Sequence, residues 1–312
     1  MTLPVTRADV DAAWEVIRPF VRRTPVIEID AADLGLPGSP VTFKLEFLQH
    51  TGSFKARGAM LNLLTRDVPE AGVAAASGGN HGAAVAWAAE RKGVPANVFV
   101  PEIASPAKIA RIESYGATLH VGGARYAEAL AACETFMAET GAIGIHAYDQ
   151  IETLAGQGTT AREFAEDGRV DTLLVATGGG GLIGGMAAWA EGRLRIVSVE
   201  PETSACLHAA LASGHPVDVE VSGVAADSLG ARRTGDLVFE IARAFVDDAV
   251  LVPDAAIREA QALLWDRLRI VTEPGGATAL AALLAGAYRP APDERVGVLL
   301  CGANTGAVSF DG

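Results

Sequence analysis

Short β-branched runs alternate with longer Ala/Leu/Glu/Arg runs along most of this chain, and that rhythm restricts the fold more than any other feature. Apolar runs at 41–45, 72–76, 97–100, 118–121, 171–176, 195–199 and 295–300 read as strands. Segments 55–65, 81–92, 125–140, 153–166, 182–191, 255–269 and 277–287 read as helices. Ser105-Pro106 supplies an N-cap and a first-turn proline for a further helix that Gly116 ends, and Gly141 stops the one at 125–140. Alternation of this kind predicts an α/β fold, with parallel sheets wrapped by helices. At 312 residues the chain exceeds the usual size of one domain, so two domains or one large α/β unit are expected.

Composition narrows the class. Half of the residues are hydrophobic and 20% are charged, enough apolar surface for a sizeable core and too much for a disordered chain. Lys plus Arg total 25 against 38 Asp plus Glu, a formal charge of -13. That field repels nucleic-acid phosphates and anionic lipid, so neither nucleic acid nor a membrane is an expected partner. Segments 71–89 and 172–190 contain no Lys, Arg, Asp or Glu, yet glycines interrupt both. Each therefore reads as strand, glycine loop and helix rather than as a membrane span. Residues 1–14 form no apolar signal core. Cys133, Cys206 and Cys301 lie far apart, without CxxC or Cys/His zinc spacing, and suit a reducing compartment, the cytoplasm. His50, His120, His146, His208 and His215 show no spacing that suggests a triad or a zinc site, and read as ordinary residues.

Three glycine-rich loops fall where strands end and helices begin: Ser77-Gly78-Gly79-Asn80-His81-Gly82, Gly178-Gly179-Gly180-Gly181, and Cys301-Gly302-Ala303-Asn304-Thr305-Gly306. In parallel sheets ligands bind at the carboxyl ends of strands. Glycine lets backbone N–H groups approach an anion, and a helix N-terminus attracts negative charge. A glycine pair is ordinarily a turn. Four glycines between a buried strand and an apolar helix predict a phosphate nest, and the absence of a following GKS or GKT excludes a Walker loop.

Lys55 lies in Thr51-Gly52-Ser53-Phe54-Lys55-Ala56-Arg57-Gly58-Ala59. An isolated lysine is normally a solvated surface charge. Here the neighbours are mostly small or apolar, and the lysine opens a helix after a strand and a turn. A lysine in a poorly solvated site has a lowered pKa and can form a Schiff base.

Residues 46–58, Glu-Phe-Leu-Gln-His-Thr-Gly-Ser-Phe-Lys-Ala-Arg-Gly, resemble the lysine motif of the serine/threonine dehydratases, in the second fold type of pyridoxal-phosphate enzymes and relatives of serine racemase. Ser77-Gly78-Gly79-Asn80-His81 is similar to that family's substrate-carboxylate loop, the tetraglycine to its phosphate cup, and Cys301-Gly302-Ala303-Asn304 stands where the family has Ser-Gly-Gly/Ala-Asn. The four motifs occur in family order, so the resemblance covers nearly the whole chain. It implies a tryptophan synthase β-like fold: a large cofactor-binding domain from 1–69 and 149–312, a small α/β domain at 70–148 inserted between them, and the cofactor in the cleft. No feedback-control domain is expected after the Cys301 loop.

The resemblance also implies roles. Lys55 would hold pyridoxal 5'-phosphate and act as base at Cα, with Phe54 packing beside the ring. Asn80 would bond the ring's phenolic oxygen, and Gly178, Gly179, Gly180 and Gly181 would grip the phosphate. Ser77, Gly78, Asn80 and His81 would form the loop that holds the substrate carboxylate, largely through backbone donors. Glu273, in Glu273-Pro274-Gly275-Gly276, matches a glutamate near the ring, and Cys301 would face the pyridine nitrogen. Cysteine replaces the usual serine there. As a weak donor, a thiol leaves that nitrogen unprotonated, which suits elimination. Several relatives hold a divalent cation, and Glu200 matches one ligand. Cys206 stands where an aspartate would complete the site, and a soft thiolate is a poor ligand for Mg²⁺ or Ca²⁺, so no metal is expected.

The expected activity is α,β-elimination: a small β-hydroxy amino acid, L-threonine or L-serine, becomes a 2-oxo acid and ammonia. The near alternatives are a serine racemase and a hydroxyaspartate or aryl-serine dehydratase. A β-replacing synthase would carry Asn/Val-Lys-Asp in the lysine loop, and this chain does not. Racemisation needs a second proton donor, a serine in the racemases, where this chain has Gly78. The alternative from another class is a non-catalytic phosphate- or nucleotide-binding protein, which would have no use for the Lys55 amine. A homodimer is the prior expectation for a soluble enzyme.

Overall fold

The computed structural model describes residues 3–102, 104 and 106–307. Numbered along the chain, the elements begin with α1 (Arg7–Ile17), β1 (Val26–Ile29), β2 (Val41–Lys44) and α2 (Lys55–Thr65). A compact run follows: β3 (Val73–Ala76), α3 (Asn80–Lys92), β4 (Ala96–Val100), α4 (Pro106–Glu113), β5 (Thr118–Val121), α5 (Tyr126–Thr140) and β6 (Ile143–Gly144). The remainder is α6 (Ile151–Asp167), β7 (Thr172–Ala176), α7 (Gly181–Ala190), β8 (Arg195–Pro201), α8 (Cys206–Ser213), α9 (Ala226–Leu229), α10 (Asp236–Phe245), β9 (Asp248–Val252), α11 (Asp254–Leu263), α12 (Pro274–Leu284) and β10 (Val296–Leu299).

The strands form two sheets. One has the order β1-β2-β10-β7-β8-β9, the other β5-β4-β3-β6. All pairings are parallel except β1 with β2, an antiparallel edge that the sequence rhythm did not disclose. The parallel strands β2, β7 and β10 are buried along their whole length, as expected where helices cover both faces. In β10, Gly297 opens the space that Phe164 of α6 and Leu173 of β7 fill: a Cβ there would stand 2.9 Å from the Phe164 ring and 2.6 Å from the Leu173 side chain.

The helices behind the first sheet meet at backbone distance. A Cβ on Gly156 of α6 would lie 2.6 Å from the Cα of Gly58 in α2, and one on Gly185 of α7 would lie 2.1 Å from the Leu154 carbonyl in α6. These contacts lock α2, which starts at Lys55, to α6 and α7, which starts at the tetraglycine.

Helix α2 has the expected bounds, and α4 begins at Pro106. Ser105 lies outside the described residues. Gly141 ends α5 in the left-handed conformation at φ 77°. The helix expected over 255–269 runs as α11 and then one π-type turn, Leu264–Leu268. Strands β1, β6 and β9 and helices α1, α8, α9 and α10 were not foreseen. The signal for α1 was present: Thr6 and Asp9 form a capping box.

Candidate functional site

The four motifs lie at the carboxyl ends of parallel strands: the lysine loop after β2, the tetraglycine after β7, the Cys301 loop after β10, and the Ser77 loop after β3. A helix follows each except the Cys301 loop, after which the described residues contain none.

The lysine loop and the Cys301 loop fold onto each other. Phe54 donates its N–H to the Cys301 carbonyl at 3.2 Å, Ala303 donates to Gly52 at 3.0 Å, and Ser53 bridges to Gly302. Thr51 and Gly52 both have positive φ, 62° and 72°. The left-handed conformation is strained for a β-branched threonine. The side-chain amide of Asn304 holds this turn by donating to the Thr51 carbonyl at 2.8 Å.

Lys55 follows that turn. Its Nζ donates to the Ala147 carbonyl at 2.6 Å and lies 5.1 Å from the centroid of the Phe54 ring. Burial pushes the amine down to about 8, against the opposing pull of Cys301 and Glu273. The amine is therefore partly neutral just above neutral pH, as a nucleophilic or proton-carrying lysine requires.

Asn80, the first residue of α3, reaches across to the other sheet. Its Nδ2 donates to Glu273 Oε1 at 2.6 Å, and its Oδ1 accepts from Asn304 Nδ2 at 2.5 Å. Burial raises the Glu273 carboxyl to about 7, and the Asn80 bond pulls the other way. Cys301 is buried, its thiol held neutral chiefly by burial, with the Gly275 carbonyl 3.5 Å away. His81 is also buried. Burial and the Lys55 charge lower it to about 3, so the ring is neutral and its Nε2–H donates to the Ile145 carbonyl at 2.8 Å.

The sequence-based assignment gave Ser77 a backbone role toward a carboxylate. In the structure the Ser77 N–H is bound to the Phe99 carbonyl at 3.0 Å, so a contact of Ser77 with a carboxylate would run through its hydroxyl. Among the described residues, the N–H groups of Gly78, Asn80, His81 and Gly82 have no protein acceptor and are free donors of this loop. The Ser77 hydroxyl instead accepts from Gly79 N at 3.3 Å.

The tetraglycine meets the same test. The Gly178 carbonyl accepts from the Cys206 thiol at 3.3 Å, and the Gly179 carbonyl accepts from Gly235 N at 3.3 Å and Thr234 Oγ1 at 3.4 Å. The N–H groups of Gly178, Gly179, Gly180 and Gly181 have no acceptor among the described residues. Gly180 takes φ 91°, and Cβ atoms on Gly179 and Gly181 would fall 2.5 Å and 2.7 Å from Tyr148. Four free donors at the start of an apolar helix fit a phosphate group.

Glu200 is buried and spends its carboxylate on a helix end. Its two oxygens accept the Leu207 and His208 N–H groups of α8 at 2.8 Å each. Burial raises it to about 7. No cluster of three or more His, Cys, Asp or Glu side chains that could hold a metal occurs among the described residues.

Two residues by the Lys55 amine escaped the sequence reading. His146 and Tyr148 flank Ala147, their rings edge to face at 4.7 Å. The Lys55 charge is among the causes that lower His146, after burial and against the pull of Asp149. His146 Nδ1 accepts from Asp149 N at 2.8 Å, which leaves the proton of the neutral ring on Nε2. The polar Asn304 also escaped a role, although its loop had been singled out.

An α/β fold with a lysine and a glycine nest at the strand ends defines a class of phosphate-bearing, lysine-linked cofactor enzymes. The chain matches the family model for pyridoxal-phosphate dependent enzymes over residues 17–302 and belongs to that family. It is 40% identical over 301 residues to a phenylserine dehydratase of Ralstonia pickettii, covering 94% of this chain and 91% of that one. It is 39% identical over 282 residues to an L-threonine ammonia-lyase of Geobacter sulfurreducens, covering 88% and 70%. The solved structure of maize serine racemase superposes with a TM-score of 0.90 at 32% identity, covering 97% of this chain and 94% of that one. The chain is thus a pyridoxal-phosphate-dependent enzyme of the second fold type. No helix among the described residues is long and apolar enough to cross a membrane.

Proposed function

We propose that this enzyme is a dehydratase that removes the β-hydroxyl of a small β-hydroxy α-amino acid, L-threonine or L-serine, to give a 2-oxo acid and ammonia. The observation that carries the reading is the half-buried Lys55 amine at about 8, beside a substrate loop whose second position is Gly78. Lys55 would carry pyridoxal phosphate, which supplies a sink for the electron pair released at Cα. The N–H groups of Gly178 to Gly181 would hold the phosphate. Phe54, Asn80, Glu273 and Cys301 would surround the ring, with the Cys301 thiol too weak a donor to protonate the pyridine nitrogen. The free N–H groups of Gly78, Asn80 and His81 would bind the substrate carboxylate. Lys55 would take the Cα proton, the β-hydroxyl would leave as water, and hydrolysis would release ammonia.

A racemase needs a second proton donor on the far face of Cα, a group worth typically about 10²–10⁴-fold in rate. Gly78 offers no side chain for that purpose. An aryl-serine is the second reading for the substrate. The edge-to-face pair of His146 and Tyr148 beside the Lys55 contact favours it, as does the likeness to a phenylserine dehydratase. For the division of the chain, we propose that 70–148 forms a small unit between 1–69 and 149–312. The sheet of β3, β4, β5 and β6 falls wholly within that range.

The test is incubation with L-threonine, L-serine and L-phenylserine, with a 2-oxo acid assay and chiral chromatography side by side. The expected result is 2-oxo acid from at least one of them and little D-serine. D-serine formed as fast as pyruvate would overturn the dehydratase reading.

A further inference from the structure

A buried charge cluster stands behind the lysine loop, separate from every residue assigned above. Lys44, Glu46, Arg57 and Glu163 are each 0% exposed, and two cations offset two carboxylates. Arg57 grips Glu46 in bidentate fashion, Nε to Oε1 at 2.6 Å and Nη2 to Oε2 at 2.9 Å. It grips Glu163 as well, Nη1 to Oε2 at 3.2 Å and Nη2 to Oε1 at 3.1 Å, and Nη1 donates to Thr159 Oγ1 at 3.3 Å. Every guanidinium N–H thus has an acceptor. Lys44 Nζ closes the group with bonds to Glu163 Oε1 at 2.6 Å and the Thr24 carbonyl at 2.7 Å, and Thr24 Oγ1 donates to Glu46 Oε2 at 2.7 Å.

Stability alone is a weak reason for such a group, because burying ions is costly and apolar packing can replace them. Its location suggests another. Glu46 and Arg57 clasp the two ends of the segment that contains the left-handed Thr51 and Gly52 and then Lys55. On α2, residues two apart point about 200° from one another at 3.6 residues per turn. Arg57 therefore reaches back into the cluster while Lys55 reaches out to Ala147. Held by five bonds, Arg57 fixes the rotation of the first turn of α2 and with it the direction of the lysine. The cluster sums to zero charge and is not among the causes that perturb Lys55, so it acts by geometry and not by field.

We propose that the Arg57 clasp, with Glu46 and Glu163, is the positioning device for Lys55, aiming its amine at the cofactor held by the tetraglycine. This rests on the reading of Lys55 as the cofactor lysine. The test compares Arg57→Lys, which keeps the charge and loses the fork, with Ile196→Ala, a core truncation at the start of β8 away from the lysine loop. Three quantities are read on the full chain: total pyridoxal phosphate retained on gel filtration, the fraction fixed to Lys55 by borohydride, and the pH midpoint of the visible band. Arg57→Lys should retain total cofactor but lower the ratio of Lys55-fixed to unfixed cofactor roughly fivefold or more, the effect of one hydrogen bond or more, with a displaced pH midpoint. Ile196→Ala should lose thermal stability and leave fraction and midpoint unchanged. If Arg57→Lys does not fold, Thr159→Val, which removes one of the five bonds, makes the same comparison with an expected drop of about fivefold. A wild-type fraction and midpoint in the folded Arg57 or Thr159 variant overturns the positioning role, as does an equal loss in Ile196→Ala. A wild-type protein with no borohydride-fixed Lys55 overturns the Lys55 assignment itself, a distinguishable result.

Discussion

Replacing Lys55 by methionine should stabilise the cofactor-free protein at neutral pH, although it destroys the amine on which the proposed chemistry depends. Folding lowers this amine from the ordinary lysine value of 10.5 to about 8, chiefly through burial. Each pH unit between the folded and unfolded values corresponds to about 1.4 kcal/mol, so a fully buried amine would cost ~3 kcal/mol at pH 7. The side chain is only partly covered, which reduces the cost by solvent screening, and methionine also forfeits the bond to Ala147, worth about 1 kcal/mol. A net gain of about 1–2 kcal/mol remains for Lys55→Met at pH 7. The sign follows from proton counts. Between pH 8 and 10.5 the unfolded chain binds the proton and the folded one does not. Wild-type stability contributed by this group is therefore present above 10.5 and lost as pH falls through 8. Urea unfolding of cofactor-free wild type and Lys55→Met, at intervals from neutral pH to beyond 10.5, measures the difference directly. It should shrink as pH rises through that window. A difference that does not change with pH would refute the argument that burial, rather than shape, governs this lysine.

Two further outcomes follow from the site. Gly179→Ala places a Cβ 2.5 Å from the Tyr148 ring and should displace one donor of the nest. Losing one charge-assisted bond, about 1.5–3 kcal/mol, should weaken pyridoxal-phosphate binding by roughly 10–150-fold in an absorbance titration, and an unchanged affinity would dissociate the tetraglycine from the phosphate. Chelation by EDTA should leave turnover intact, since both Glu200 oxygens are engaged by α8, whereas loss restored by Mg²⁺ or Ca²⁺ would contradict this.

Local information settled much about this protein. Periodicity located the buried parallel strands β2, β7 and β10 and the helices between them, because a strand covered on both faces must be apolar throughout. The glycine loops and Lys55 were legible for a related reason: donors that must approach an anion, and an amine that must lose water, leave small and apolar neighbours in the sequence. Tertiary structure decided the rest. Nothing local to Asn80 shows that it meets Glu273 and Asn304, which come from the far end of the chain. Nothing local to Ser77 shows that its N–H is taken by Phe99 on a neighbouring strand. Antiparallel β1 and helices α8 and α9 are short, so they acquire their structure from packing more than from their own pattern, whereas α10 carries a clear amphipathic stripe of Val238, Phe239, Ile241 and Ala242 that went unread. His146 read as an ordinary histidine and Arg57 as one more charge in a motif. The first stands by Lys55 because β6 ends there. The second is fully buried because β2 and α6 bring Glu46 and Glu163 to its guanidinium, an encounter between residues up to 106 positions apart. Residue type and spacing can announce the chemistry, but which distant partners complete each hydrogen bond is fixed only when the sheets close.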